Sequence, residues 1–387
     1  MEERKRFIED WLAGGRENIA ALCRVYQISR KTGYKWLERF REGGLAALED
    51  RSHAAQQPRR IPEEIEQRLI EARRRHPSWG PKKLRAWLER REPQTAWPAA
   101  STIGEALKRA GLVRRQSRTR RLSEVASSPL REPECANEVW TIDYKGQFRT
   151  GDGVLCYPLT VVDAHSRYLL DCAAHRSPCH EEARRSLERL FRELGLPERM
   201  RSDNGTPFAS TGAGRLSRLS VWWLRLGIAV ERIEPGKPQQ NGRHERMHRT
   251  LKAETARPPA GDQRRQQRRF NRFRQEYNQE RPHESLGQQP PTTAYEAASR
   301  RYPKQLPEPE YPGHWERRRV RRDGSVKFQG RMYFLSEALA GELTGWVEVD
   351  EAIWQIWFGP VEVALYDALN QTLWPLAAAA SGPRGGH

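Results

Sequence analysis

The chain has 387 residues, of which 30% are charged and only 37% hydrophobic, with 68 Lys and Arg against 50 Asp and Glu for a formal net charge of +18. No run approaches the roughly 20 apolar residues that span a bilayer, and the N-terminal M-E-E-R-K-R-F-I-E-D lacks a signal peptide's apolar core, so a cytoplasmic, nucleoid-associated protein without a membrane partner is expected. Five cysteines without a C-x-x-C argue against a disulfide framework, and the Arg-rich cationic excess points to a polyanion partner, because the guanidinium fork binds two phosphate oxygens at once.

In chain order, residues 2–13, 17–26 and 29–41 read as three short helices, with a sharp turn at Gln27 and Ile28 and Ser29 as N-cap of the third. That is the pattern of a helix-turn-helix domain over 1–50. Its third helix would present Arg30, Lys31, Thr32, Tyr34 and Lys35 to DNA while Trp36, Leu37 and Phe40 face inward. After a polar linker, residues 63–75, 82–92 and 101–110 suggest a second helical DNA-binding module over 60–115, with Pro81 at a helix N1 position, Ser101 and Thr102 as caps, and Lys82 and Lys83 as DNA contacts. A basic linker over 116–134 follows the start of an Arg-rich run. Arg114, Arg115, Arg118, Arg120 and Arg121 can track a phosphate backbone, or the segment is a plain linker.

From residue 137 the pattern switches to strands at 138–148, 154–163 and 168–175, then a helix at 181–194 with Ala183, Leu187, Leu190, Phe191 and Leu194 on one stripe. A short strand near Met200 delivers Asp203, a helix follows at 214–226, and another strand at 228–233. A Gly/Pro/Asn-rich loop at 235–242 opens a basic helix carrying Glu245. Asp143 stands within a strand rich in β-branched and aromatic residues, where a charge costs several kcal/mol unless solvated, paired or metal-bound. Hard divalent cations such as Mg²⁺ suit such carboxylates. Phe270, Phe273 and Tyr277 sit at helical spacing and read as core. Beyond a Pro-rich spacer at 302–312, alternating segments over 314–368 read as a small antiparallel barrel, and 369–387 as a tail.

Four motifs in order carry a family resemblance: W-x-x-D at Trp140 to Asp143, S-D-N-G at Ser202 to Gly205, P-x-x-N-G-x-x-E at Pro238 to Glu245, and Y-N-x-x-R-P-H at Tyr277 to His283. The chain resembles the DDE transposases and integrases, in particular bacterial insertion-sequence transposases related to retroviral integrase. The resemblance implies a multidomain α+β chain, with helix-turn-helix modules, a ribonuclease-H-like catalytic core over 135–298 and a C-terminal β-barrel. It also implies a DNA transposase acting as a homo-oligomer on double-stranded DNA, with Asp143, Asp203 and Glu245 as catalytic and metal-binding residues for two Mg²⁺ or Mn²⁺ ions. Asp143 would bridge the ions, and Asp203 and Glu245 would each complete one. One departure is the 41 residues between Asp203 and Glu245, longer than the family's usual interval by about a turn or two of helix, with the extra residues expected in 210–218. Helical spacing groups Asn241, His248, Arg249 and Lys252 with Glu245 on one face, where Asn241, Arg249 and Lys252 would contact DNA.

Three rivals share these residues. His244-Glu245-Arg246-Met247-His248 is an H-E-x-x-H string, the zinc-hydrolase signature, but that reading leaves Asp143 and Asp203 without a role. Cys172, His175, Cys179 and His180 have zinc-like spacing, for which ordinary packing is the simpler account. A catalytically inactive DNA-binding regulator would keep the basic modules and is disfavoured by the presence of all three acidic residues.

Overall fold

The computed structural model describes residues 2–14, 18–50, 61–113, 130, 132–234 and 242–376. The chain divides into two compact units, Met1–Pro62 and Glu63–His387. No helix among the described residues is long and apolar enough to cross a membrane.

The first unit holds α1 (Glu2–Ala13), α2 (Ile19–Val25) and α3 (Arg30–Gly43). Phe7, Ile8, Cys23, Leu37 and Leu48 form its core, with Trp36 and Phe40 half-buried against it. Ser29 caps α3 by accepting from the Thr32 amide at 3.1 Å, which satisfies one of the amides a helix start leaves without an intrahelical partner. The tight turn before it places Gln27 at φ 50°. Gly33 marks the closest approach of α3 to α2: a Cβ there would lie 2.5 Å from Cys23 Sγ.

The second unit begins with α4 (Glu63–Arg75), α5 (Pro81–Arg91) and α6 (Ala100–Arg109). Pro81 occupies the first turn of α5 as expected. Ala99 is the N-cap residue of α6, without a side-chain cap bond, so Ser101 and Thr102 stand inside the helix rather than capping it. Leu69, Trp79, Leu84, Trp87, Leu88, Ile103 and Leu107 are buried in this module. It is fastened to the segment at 280–288: Trp87 Nε1 donates to Glu280 at 3.2 Å, and Arg90 donates to the carbonyls of Glu280 and Gln288.

The central region is built from β1 (Val139–Tyr144), β2 (Phe148–Arg149), β3 (Leu155–Asp163), β4 (Leu169–His175), α7 (His180–Leu194), β5 (Arg199–Ser202), α8 (Arg218–Arg225), β6 (Ala229–Arg232), α9 (Gly242–Thr255) and α10 (Gln263–Gln279). The sheet runs β4-β3-β1-β5-β6, with β2 paired to the start of β3. β3 is antiparallel to β1 and β4, whereas β1, β5 and β6 are parallel, with helices as crossovers. The strand expected over 138–148 is two strands, interrupted where Gly146 takes φ +82°. The α7 stripe buries Ala183, Leu187, Leu190 and Phe191 with Trp140, Met200, Trp222 and Trp223.

On the outer edge of the sheet, α10 supplies what a neighbouring strand would. Gln267 accepts from the Ala174 amide and donates to the Cys172 carbonyl, Arg274 donates to Leu170, and Asn278 both accepts from and donates to Leu169. These bonds close an edge that would otherwise offer unpaired backbone to another chain.

The helix expected at 214–226 starts later. Gly214 at φ 60° lies in a short 3₁₀ turn, Ala213–Arg215, and α8 begins after the Ser217 cap. Ala213, Leu216 and Val221 join Val320, Phe328, Trp346 and Val363 in one core, and the Gly214 amide donates to the Leu376 carbonyl at 2.7 Å. The extra length expected in this interval thus contributes residues to the support of the C-terminal region. That region comprises β7 (Glu316–Arg319), β8 (Ser325–Phe328), β9 (Arg331–Phe334), β10 (Leu343–Asp350), β11 (Ile353–Phe358), β12 (Val361–Asp367) and β13 (Thr372–Pro375). Its antiparallel sheet runs β13-β12-β11-β10-β7, with β8 and β9 as a separate hairpin. Among the described residues β13 and β7 do not pair, so the C-terminal β region is an open sheet with a hairpin rather than a closed barrel. The Pro-rich segment before it is tied down: Arg225 donates to the Leu306 carbonyl, and Tyr311 is buried with its hydroxyl on Leu343 O.

Candidate active site

β1 and β5 run parallel in the register Val139 to Arg199, Trp140 to Met200 and Thr141 to Arg201. The same offset carried forward puts Asp143 opposite position 203, on strands about 4.8 Å apart. Alternation sends Trp140 and Ile142 into the core, and Thr141 and Asp143 to the other face. That second face is covered by α9, as the 3.0 Å contact between Thr141 Oγ1 and His244 Nδ1 shows. Asp143 keeps 18% of its side chain exposed. Asp203 lies just past β5, where its Oδ1 accepts from the Gly205 amide at 3.1 Å. A Cβ on Gly205 would stand 3.1 Å from Asp203 Oδ2, and Asn204 ties the turn to β6 by donating to Ile233 O.

On α9, His244 and His248 turn inward, while Glu245, Arg249 and Lys252 are exposed. This corrects the grouping of His248 with the solvent-facing residues. Its partner on the helix is His244, four residues back, and both are received by one polar socket: Thr160 Oγ1 lies 2.6 Å from each Nε2. His248 Nδ1 is also 3.7 Å from Asp143 Oδ2. Burial pushes His244 down to about 3, and burial, reinforced by His244 and Lys145, holds His248 well below the usual histidine range. Both imidazoles are therefore neutral near pH 7. Ligand atoms of Asp143, His244 and His248 lie within 4.8 Å of one another, a group that could hold a metal ion. Asp203 and Glu245 stand outside this group, so the three expected carboxylates are not drawn into one tight cluster. Sequence reasoning missed Thr160, for which a threonine in an apolar strand gave no signal; the two histidines at helical spacing were visible.

The remaining expected residues fall as follows. Arg30, Lys31, Tyr34 and Lys35 are exposed on α3, and Thr32 is half-buried beside the Ser29 cap. Lys82 is exposed, 3.7 Å from Glu284. Lys83 is half-buried, and burial, with Arg281 nearby, brings its ammonium down to about 8. Arg114, Arg115, Arg118, Arg120, Arg121 and Asn241 lie outside the described residues, as does the 235–241 part of the loop before α9. Phe270, Phe273 and Tyr277 are core residues, as expected. Cys172 is buried there as well, and His175 hydrogen-bonds Tyr144 and Ser186, so the zinc-like spacing around them forms no ligand cluster among the described residues. The Y-N-x-x-R-P-H motif is structural in its visible contacts: Asn278 closes the β4 edge, Arg281 meets Glu254 at 3.1 Å, and His283 stands edge-on to Tyr277.

Residues 133–238 match the Integrase core domain family, and a second integrase core family matches 226–291. A Helix-turn-helix domain family matches 3–55 and a Homeodomain-like domain family 32–107. The chain is 28% identical over 57% of its length to an uncharacterized 31.7 kDa protein of insertion element IS407 from Burkholderia multivorans, covering 76% of that protein. It is 27% identical over 74% of its length to an uncharacterized 39.2 kDa protein of insertion element IS476 from Xanthomonas euvesicatoria, covering 80% of it. These matched domains and relatives support an insertion-element transposase of the retroviral-integrase superfamily. Among solved structures, it is similar to a chain of the simian T-cell lymphotropic virus intasome in complex with a PP2A regulatory subunit, at 16% identity and a TM-score of 0.38, covering 76% of this chain and 98% of that one. Asp143 and Asp203 both fall within the first matched integrase region, and Glu245 within the second.

Proposed function

We propose that the chain is a DNA transposase that binds the ends of its element, cuts there, and joins the exposed 3′ ends to target DNA. The observation that carries this is the parallel β1–β5 register, which supports Asp143 and Asp203 as neighbours on one face of an integrase core. Glu245, in the first turn of α9, would complete the acidic set. Hard oxygen donors of this kind fit Mg²⁺ or Mn²⁺, and two such ions would activate a nucleophile and stabilise a leaving oxygen. Exposed Arg249 and Lys252 would offset phosphate charge along the same helix. In the first step water attacks the end phosphodiester, and the broken P–O bond leaves a 3′ hydroxyl. In the second, that hydroxyl attacks a target phosphodiester: one P–O bond forms, one breaks, and the target strand keeps a 3′ hydroxyl. Neither step needs ATP or a covalent protein intermediate. The helix-turn-helix unit and the module at 63–112 would select the element ends, and a homo-oligomer would hold two ends together.

The test is joining of a labelled element-end duplex to plasmid DNA in Mg²⁺ or Mn²⁺, comparing the chain with Asp203→Ala. Metal-dependent products that vanish in the variant support the reading. Tight end binding without nicking or joining in either metal would point instead to an inactive DNA-binding regulator.

The grouping of Asp143 with His244 and His248 favours one second reading, a zinc site on the H-E-x-x-H string. Against it, both Nε2 atoms already engage Thr160, and Glu245, the base such a site requires, is exposed while both histidines are buried. Zinc retained through dialysis and lost in His244→Ala would revive it.

A further inference from the structure

α10 carries a second feature that the proposed chemistry does not use. Arg264, Arg265, Arg268, Arg269 and Arg272 are all exposed. At about 1.5 Å per residue they form a stripe about 12 Å long, away from the face that carries Phe270, Phe273 and Tyr277. Its orientation is fixed from behind by the bonds of Gln267, Arg274 and Asn278 to β4. The stripe borders an open pocket of about 380 Å³ whose floor is Ala260 and Gly261. That floor is held in place too, because the amides of Gly151 and Asp152 donate to the carbonyls of Ala260 and Gly261.

The charges are placed against the helix's own preferences. Arg264 and Arg265, in the first turn, oppose the macrodipole by about 0.3–1 kcal/mol each. Arg264 with Arg268, Arg265 with Arg269 and Arg268 with Arg272 are like-charge pairs four residues apart, each unfavourable by about 0.2–0.5 kcal/mol. Relief within the chain is slight. Arg265 reaches Asp262 at 3.4 Å and Arg269 donates to the Pro258 carbonyl, whereas Arg264, Arg268 and Arg272 meet no carboxylate among the described residues. Four of the five, Arg265, Arg268, Arg269 and Arg272, line the pocket over Ala260 and Gly261, a convergence that a solvated face would not require.

We propose that this stripe is a binding surface for the phosphate backbone of duplex DNA, read without regard to sequence and distinct from both the helix-turn-helix unit and the Asp143 face. A duplex presents a charge about every 1.7 Å along its axis, so 12 Å of arginines faces several phosphates at once. The surface would hold target DNA, taken without regard to sequence, while the element end occupies the active site. That assignment of the DNA rests on the transposase reading; the anion-binding surface itself does not.

The experiment uses the full chain and a fluorescent 30-base-pair duplex of random sequence, titrated from 50 to 300 mM salt. It compares the unaltered protein, R264E/R268E/R272E and R264K/R268K/R272K, with thermal melts to show that each variant folds. The Glu variant is expected to bind at least about tenfold more weakly, with the slope of log affinity against log salt shallower by about 3, and the Lys variant to keep most of both. Unchanged affinity and slope in a folded Glu variant overturn the proposal. The joining assay, run in parallel, separates the failures. Joining by both the unaltered chain and the Glu variant, with equal duplex binding, sinks the surface alone. Arginine-dependent duplex binding without any joining sinks the transposase reading and leaves the surface standing. No duplex binding by the unaltered chain sinks both.

Discussion

His248 Nδ1 stands 3.7 Å from Asp143 Oδ2, while its Nε2 meets Thr160 Oγ1 at 2.6 Å. The same hydroxyl receives His244, so Thr160 fixes the rotation of α9 against the sheet. Thr160→Val keeps the shape and leaves two buried imidazole nitrogens without that partner. Since a buried unsatisfied polar group costs about 1–3 kcal/mol, the variant should lose about 2 kcal/mol or more of unfolding free energy, measured by urea denaturation. A midpoint like that of the unaltered chain would show that α9 is held by other contacts.

Asn278 makes both bonds to the Leu169 backbone from a buried position. Asn278→Ala removes a donor and an acceptor from a covered sheet edge, with an expected loss of about 2 kcal/mol or more. Hydrogen exchange is the sharper readout: protection of the Leu169 amide should fall, while that of β5 amides falls only with global stability.

In the first unit, Gly33→Ala would drive a methyl to 2.5 Å from Cys23 Sγ and 3.2 Å from Phe7 Cζ. Overpacking of this kind costs about 1–3 kcal/mol. A fragment holding residues 1–62 carries this core by itself, so circular dichroism of that fragment should show lower helix content or an earlier melt in the variant. An unchanged melt would mean that the α2–α3 contact has room to relax.

Two buried histidines outside the Asp143 site, His175 and His283, contribute to a pH dependence in the same direction as His244 and His248. Burial lowers His175 from 6.5 to about 4, against a partial upward pull from Glu182 and with Arg185 and Arg189 acting downward. Burial also lowers His283 from 6.5 to about 3, helped by Lys83, Arg281 and Arg167, and its Nε2 finds no hydrogen-bond partner among the described residues. Between these values and 6.5 the unfolded chain binds more protons than the folded one, so the two rings leave stability unaffected above about pH 6.5 and lower it as pH drops toward 4. Melting temperatures from pH 8 to pH 4.5 check the sign, and His283→Gln should flatten the acid limb. A chain that gains stability on acidification would contradict the neutral, buried state of both rings.

Local chemistry left a clear record in the sequence. Ser29 and Pro81 open helices where their side chains predict, the strand and helix order of the central region follows hydrophobic periodicity, and the α7 stripe buries four of its five expected residues. Those signals depend on neighbours within a few residues, which sequence alone supplies. The departures depend on partners far along the chain. Periodicity put His248 beside Glu245, yet the Thr160 socket, 88 positions earlier, turns it inward. Residues 214–216 read as helix, and the C-terminal sheet takes Leu216 and the neighbouring Ala213 into its own core. Spacing gives the residues that share a face; only tertiary packing decides which face is covered, because burial energy belongs to the pair of surfaces and not to either one.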